Sequence, residues 1–144
     1  MKYIFSRNTI HGLGCIATQD IKKGEIVGEE PYFLFTKKYT EVEDYFWRGP
    51  NNEYLLINGL GNYCNHSENN NIKPIINTEK PLITFIALHD IQKGDELFNN
   101  YGEAYFKYRN IEIIKNNKAN QQKMNASRKI HQPQPRYFTS FKLF

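Results

Sequence analysis

Gly61-Asn62-Tyr63-Cys64-Asn65-His66-Ser67-Glu68-Asn69-Asn70-Asn71 is the stretch on which the reading of this sequence turns. Taken alone it has two readings: a polar turn with a hydrogen-bonded histidine, or a binding turn. A side-chain amide both donates and accepts, so Asn65 can satisfy the mixed polar edge of a ligand. About 30 residues on comes Gly94-Asp95-Glu96-Leu97-Phe98-Asn99-Asn100-Tyr101-Gly102, where an apolar pair is followed by asparagines and a tyrosine. A single tyrosine after a strand is ordinarily core or surface. What separates Tyr101 from that default is its order and spacing relative to the other segments.

Working outward, the chain contains one internal echo. Ala17-Thr18-Gln19-Asp20-Ile21-Lys22-Lys23-Gly24-Glu25 is repeated in kind by Ala87-Leu88-His89-Asp90-Ile91-Gln92-Lys93-Gly94-Asp95. Each copy reads as a strand end, a turn set by Asp, and a glycine able to take positive φ. The first copy comes after Gly12-Leu13-Gly14-Cys15-Ile16-Ala17, which satisfies the dinucleotide fingerprint G-x-G-x-x-G/A. That fingerprint requires a helix after it. The echo identifies the segment beyond Ala17 as a turn, and no run of βαβ units succeeds it, so a Rossmann reading is declined. Short strands rich in Ile, Val, Phe and Tyr are expected at 2–6, 26–27, 33–36, 54–57, 72–77 and 82–88. Residues 40–47 suit either a short helical turn or an extended segment. A helix is expected over 103–115, where Ala104, Tyr105, Tyr108, Ile111 and Ile114 form an apolar stripe. The fold class is therefore mainly β.

Together these segments resemble the SET-domain protein lysine methyltransferases, in particular compact bacterial and viral members. Gly12-Leu13-Gly14 with the Ala-x-x-Asp-Ile turn looks like the opening of that domain. Asn62–Asn71 is similar to the family's R-F-x-N-H-S-C-x-P-N, and Gly94–Gly102 to its G-E-E-L-x-x-D-Y-G. The resemblance spans about residues 5–106. It implies a SET domain of β-clip-like short strands and small sheets with a pseudoknot, over 1–115 and including the C-terminal helix, with a basic linker and aromatic tail over 116–144. By the same resemblance Tyr101 is the catalytic tyrosine. Gly12, Leu13, Gly14, Asn65 and His66 hold S-adenosyl-L-methionine, and Tyr32, Tyr63 and Phe98 are channel aromatics. The implied activity is methyl transfer to a lysine of a protein substrate, histones among the candidates; a SET-like module that binds protein without catalysis is the alternative. The chain departs from the pattern at Asn62 for Arg, Glu68 for Cys, Asn70 for Pro and Asn100 for Asp. Asn99 stands where many members carry an aromatic that influences how many methyl groups are added, which leaves product multiplicity open.

Composition agrees with a single domain and narrows the setting. The chain has 144 residues, 40% hydrophobic and 15% aromatic, enough for one core. Cys15 and Cys64 are its only cysteines. They make neither a disulfide scaffold nor a four-cysteine zinc site, so no metal is expected and a reducing compartment is the default. No stretch is long and apolar enough to span a membrane, and the expected location is intracellular, cytoplasmic or nuclear. Residues 1–114 carry a charge of −3 and residues 115–144 carry +7. An acidic body suits a cationic substrate. The basic tail offers only weak, salt-sensitive attraction to nucleic acid. Its aromatic end, with Tyr137, Phe138 and Phe141, is a candidate for closing the channel in place of the missing zinc motif. The sequence does not specify an oligomeric state.

Overall fold

The echoed segments clasp one another. In the computed structural model, which describes residues 1–109, Ile21 and Ile91 form an antiparallel bridge by exchanging both backbone hydrogen bonds at 2.9 Å. The reciprocity extends along both units. Gly94 N–H donates to the Ala17 carbonyl and Gly24 N–H to the Ala87 carbonyl; Asp20 accepts from Lys93 N–H and Asp90 from Lys23 N–H. Gly24 (φ +85°) and Gly94 (φ +94°) both adopt the positive φ that the turn requires. The result is a local pseudo-two-fold joint between residues 70 apart, with both isoleucines fully buried.

Two sheets extend from this joint. Strands β1 (Tyr3–Thr9), β2 (Gly12–Ala17), β6 (Asn65–His66) and β9 (Glu96–Asn99) form one, in the order β1-β2-β9-β6. Strands β3 (Ile26–Phe35), β4 (Phe46–Arg48), β5 (Tyr54–Ile57), β7 (Ile72–Asn77) and β8 (Leu82–Ala87) form the other, in the order β4-β5-β3-β8-β7. Most pairings are antiparallel; β6 runs parallel to β9, placing Asn65 beside Phe98 and His66 beside Asn99. Strict alternation in β8 sends Ile83, Phe85 and Ala87 inward. They meet Val27, Ile57 and Leu60 in one buried cluster, and Trp47 packs edge-on against Phe85.

Several expectations shift in position. The two strands expected at 26–27 and 33–36 are one strand, because Pro31 lies where β3 changes partner. Residues 26–31 pair with β8 and residues 32–35 with β5 on the other side, so proline's missing N–H interrupts neither ladder. Gly12–Ala17, not anticipated as a full strand, is β2. The ambiguous 40–47 stretch is both of its alternatives: a 3-10 turn over Thr40–Tyr45 and then β4. A four-residue helix α1 (Leu60–Tyr63) and the parallel strand β6 occupy the polar turn. Helix α2 covers Glu103–Arg109. The rest of the helix expected to Lys115, the boundary at 115/116 and the tail with Tyr137, Phe138 and Phe141 lie outside the described residues.

Candidate active site

A buried carboxylate sets the turn that delivers Asn65. Glu30 accepts from the backbone N–H of Leu60 and of Gly61 (3.1 Å) and from the Tyr3 hydroxyl (2.7 Å). It therefore satisfies donors at the start of α1 that have no partner within the helix. The chain leaves α1 through Cys64 into β6. There Asn65 Nδ2 donates to Glu96 Oε1 (2.7 Å) and Thr9 Oγ1 (3.2 Å). Gly14 lies directly against this amide: a Cβ added to it would sit 2.7 Å from Asn65 Nδ2 and 2.7 Å from Thr9 Oγ1. No side chain fits at position 14 while Asn65 stays where it is.

Pairing between β2 and β9 covers only Cys15 and Ile16, so among the described residues Gly12, Leu13 and Gly14 have no strand partner on that edge; Gly14 is nonetheless buried, while Gly12 and Leu13 reach solvent. Asn65 Oδ1 is accessible and without a hydrogen bond among the described residues. An unpaired backbone edge beside such an oxygen can hold a ligand with both donors and acceptors along its length.

Tyr101 joins this cradle to a cavity. Its hydroxyl donates to the Cys64 carbonyl at 2.5 Å, one residue before Asn65. Its backbone N–H donates to His66 Nδ1 at 3.1 Å, which makes Nδ1 an acceptor and assigns the ring proton to Nε2. Burial pushes the His66 pKa down and pushes the Tyr101 phenol up, so both side chains are uncharged near neutrality. Tyr105 packs edge-on to Tyr101 at 4.7 Å and Phe106 to His66 at 4.6 Å. Two polar atoms here are buried without partners among the described residues, His66 Nε2 and Asn99 Oδ1.

The cavity has a volume of about 910 Å³, and Trp47, Tyr54, Asn62, Asn99, Tyr101 and Tyr105 are among its lining residues. Tyr32, Tyr63 and Phe98, expected as channel aromatics, are not. Tyr32 is buried in the five-stranded sheet with its hydroxyl on the Asn77 carbonyl. Tyr63 packs against Phe5 at 5.0 Å. Phe98 sits in the ladder opposite Asn65. The aromatic rings that line this cavity come from the 45–54 region, Tyr101 and α2. The run Tyr45-Phe46-Trp47 was the available signal, but nothing in sequence separates a lining aromatic from one that fills a strand.

The sequence matches the SET domain family over residues 12–102. The chain belongs to the SET-domain family. Members of this family are S-adenosylmethionine-dependent lysine methyltransferases. Among solved structures, this SET domain resembles a Plasmodium falciparum protein provisionally assigned as a histone methyltransferase, with 28% identity and a TM-score of 0.63 over 71% of this chain and 94% of that one. It also resembles part of ctPRC2 in complex with H3K27me3 and H3K27M, with 26% identity and a TM-score of 0.58 over 70% of this chain and 14% of that one. No curated protein matches it. The unpaired glycine edge and the Asn65 oxygen without a partner among the described residues fit the family's donor, whose adenine and amino-acid ends both carry hydrogen-bonding groups.

Proposed function

We propose that this SET domain transfers a methyl group to a lysine side chain of a protein, with residues 1–115 as the catalytic domain and 116–144 as a tail. The observation that carries the reading is the Tyr101–Cys64 hydrogen bond. It sets the phenol in the wall of an aromatic cavity and one residue from the amide that abuts Gly14. Gly12, Leu13 and Gly14 would hold S-adenosyl-L-methionine along the strand edge that β9 leaves unpaired, with Asn65 and the His66 backbone closing the turn. When bound, that group supplies a methyl made electrophilic by its sulfonium.

The chain's own residues then have three tasks. The first is to accept lysine in its neutral form. A free lysine has a pKa of about 10.4, so deprotonating it at pH 7 costs roughly 4.6 kcal/mol. Trp47, Tyr54 and Tyr105 in the cavity wall would desolvate the ammonium, working against Glu43 and Asp44, which also line the cavity and favour the charged form. The second is orientation. The Tyr101 phenol, its pKa pushed up chiefly by burial, stays protonated and cannot serve as a base; it aligns the amine through its oxygen. The third is exclusion of water by the aromatic wall. No oxyanion develops, so no oxyanion hole is needed.

Histone tails are the substrate class best supported, since both similar structures concern histone methylation. Such a substrate would set the site of action inside the cell, in cytoplasm or nucleus. Labelled S-adenosylmethionine with a panel of histones and whole lysate tests the activity. Tyr101→Phe should lower transfer by at least about 100-fold, the scale of lost orientation, while calorimetry shows cofactor affinity kept. Equal activity removes Tyr101 from the reaction. Cofactor binding with no transfer to any substrate would make the chain a protein-binding module.

A further inference from the structure

We infer that Glu96 is a positioning residue: it fixes the side-chain amide of Asn65 so that the turn offers an oxygen, not a nitrogen, to the methyl donor. The inference rests on the methyltransferase reading for its ligand, and on geometry alone for its cause. A side-chain amide is nearly symmetrical and can present either end. Here both of its hydrogens are committed. One goes to Glu96 Oε1 at 2.7 Å. The other goes to Thr9 Oγ1 at 3.2 Å. Neither acceptor tolerates the reversed amide. An ionised carboxylate can only accept. The Thr9 hydroxyl has already given its proton to the Gly12 carbonyl at 2.6 Å, so toward Asn65 it too can only accept. Turning the amide over would bring two lone-pair groups against the Asn65 oxygen.

The same carboxylate has a second arm. Glu96 Oε2 accepts from Ile10 N–H at 2.9 Å, in the turn that feeds Gly12. Glu96 also pairs with Ile16 across β2 and β9. One side chain thus ties together the turn before the glycine strand, the asparagine turn and the strand that leads to Tyr101. The bond from Asn65 is charge-assisted, which makes it the stronger of that amide's two anchors. Asn65 Oδ1 is then the sole acceptor left on that amide, without a partner among the described residues and beside the Gly12–Gly14 edge that β9 does not pair. It suits a cationic or N–H-bearing end of the donor.

A double-mutant cycle on the full chain tests this. Glu96→Gln keeps the length but has one acceptor oxygen for two donors, so it cannot serve both Asn65 and Ile10. Its dissociation constant for S-adenosylmethionine should rise about tenfold, the scale of one charge-assisted hydrogen bond. The KM for the cofactor should rise more than kcat falls. In the Asn65→Ala background the same change should add almost nothing, because Glu96 acts through Asn65. Additive losses, or a fall confined to kcat, overturn the proposal. Glu96→Asp retains the charge but not the reach and serves if the Gln variant does not fold; an affinity equal to wild type there overturns it as well. Side-chain amide resonances of Asn65 give a readout that needs no cofactor. Their protection from exchange should be lost in Glu96→Gln, and unchanged protection defeats the positioning role. A wild-type chain that retains that protection yet binds no S-adenosylmethionine defeats the methyltransferase reading instead.

Discussion

At the scale of single residues, His66 is both a structural acceptor and a pH-sensitive one. Its Nδ1 takes the Tyr101 N–H only while unprotonated, and burial holds its pKa below the ordinary value of 6.5. The unfolded chain therefore binds this proton at higher pH than the folded one. The stabilisation is fully present above pH 6.5 and is lost as pH falls below it toward the folded pKa. Urea unfolding midpoints at about pH 7.5 and 5.5 should show wild type losing stability on acidification. His66→Asn, which keeps an acceptor oxygen but does not titrate, should lose less. Equal losses would assign the effect to other groups. Asn65, His66 and Tyr101 could be singled out in sequence because their spacing matches a family pattern. Glu96 could not, since a carboxylate in a strand carries no mark of the amide it faces. The orphaned Asn99 oxygen was equally silent, because burial without a partner is visible only once neighbouring strands are in place.

The element scale is where sequence and structure agree best and where the agreement has a clear cause. Strands β5 and β7 lie where their apolar residues and flanking Asn, Gly and Pro put them. The echo was legible as two turns but not as a contact between them, for pairing at a separation of 70 residues leaves no local trace. Its equivalence makes a sharp prediction. A Cβ at Gly24 or Gly94 meets nothing within 4 Å, so alanine there brings only the cost of an L-residue at positive φ. Gly24→Ala and Gly94→Ala should each cost about 1–2 kcal/mol in chemical denaturation. Unequal costs would mean that the two halves of the joint bear different strain. Tyr32, Tyr63 and Phe98, expected as channel aromatics and absent from the lining of the cavity beside Tyr101, show the opposite limit. Alternation tells which face a ring occupies, but not whether that face meets core, solvent or cavity.

For the whole molecule, every buried residue among those described lies between Tyr3 and Asn99. The cavity, by contrast, is walled in part by Ala104 and Tyr105 of α2. Methyl transfer to an uncharged amine gains from exclusion of water, and residues 133–144 supply Tyr137, Phe138, Phe141 and Phe144 on the same chain. Deleting 133–144 should therefore leave the thermal midpoint within about 3 °C of the full chain, less than a 1 kcal/mol change would produce in a domain of this size. Transfer to a lysine peptide should fall about tenfold from lost water exclusion. A parallel drop in midpoint would make those residues part of the fold. Full activity without them would mean that α2 and the 45–54 wall shelter the amine unaided.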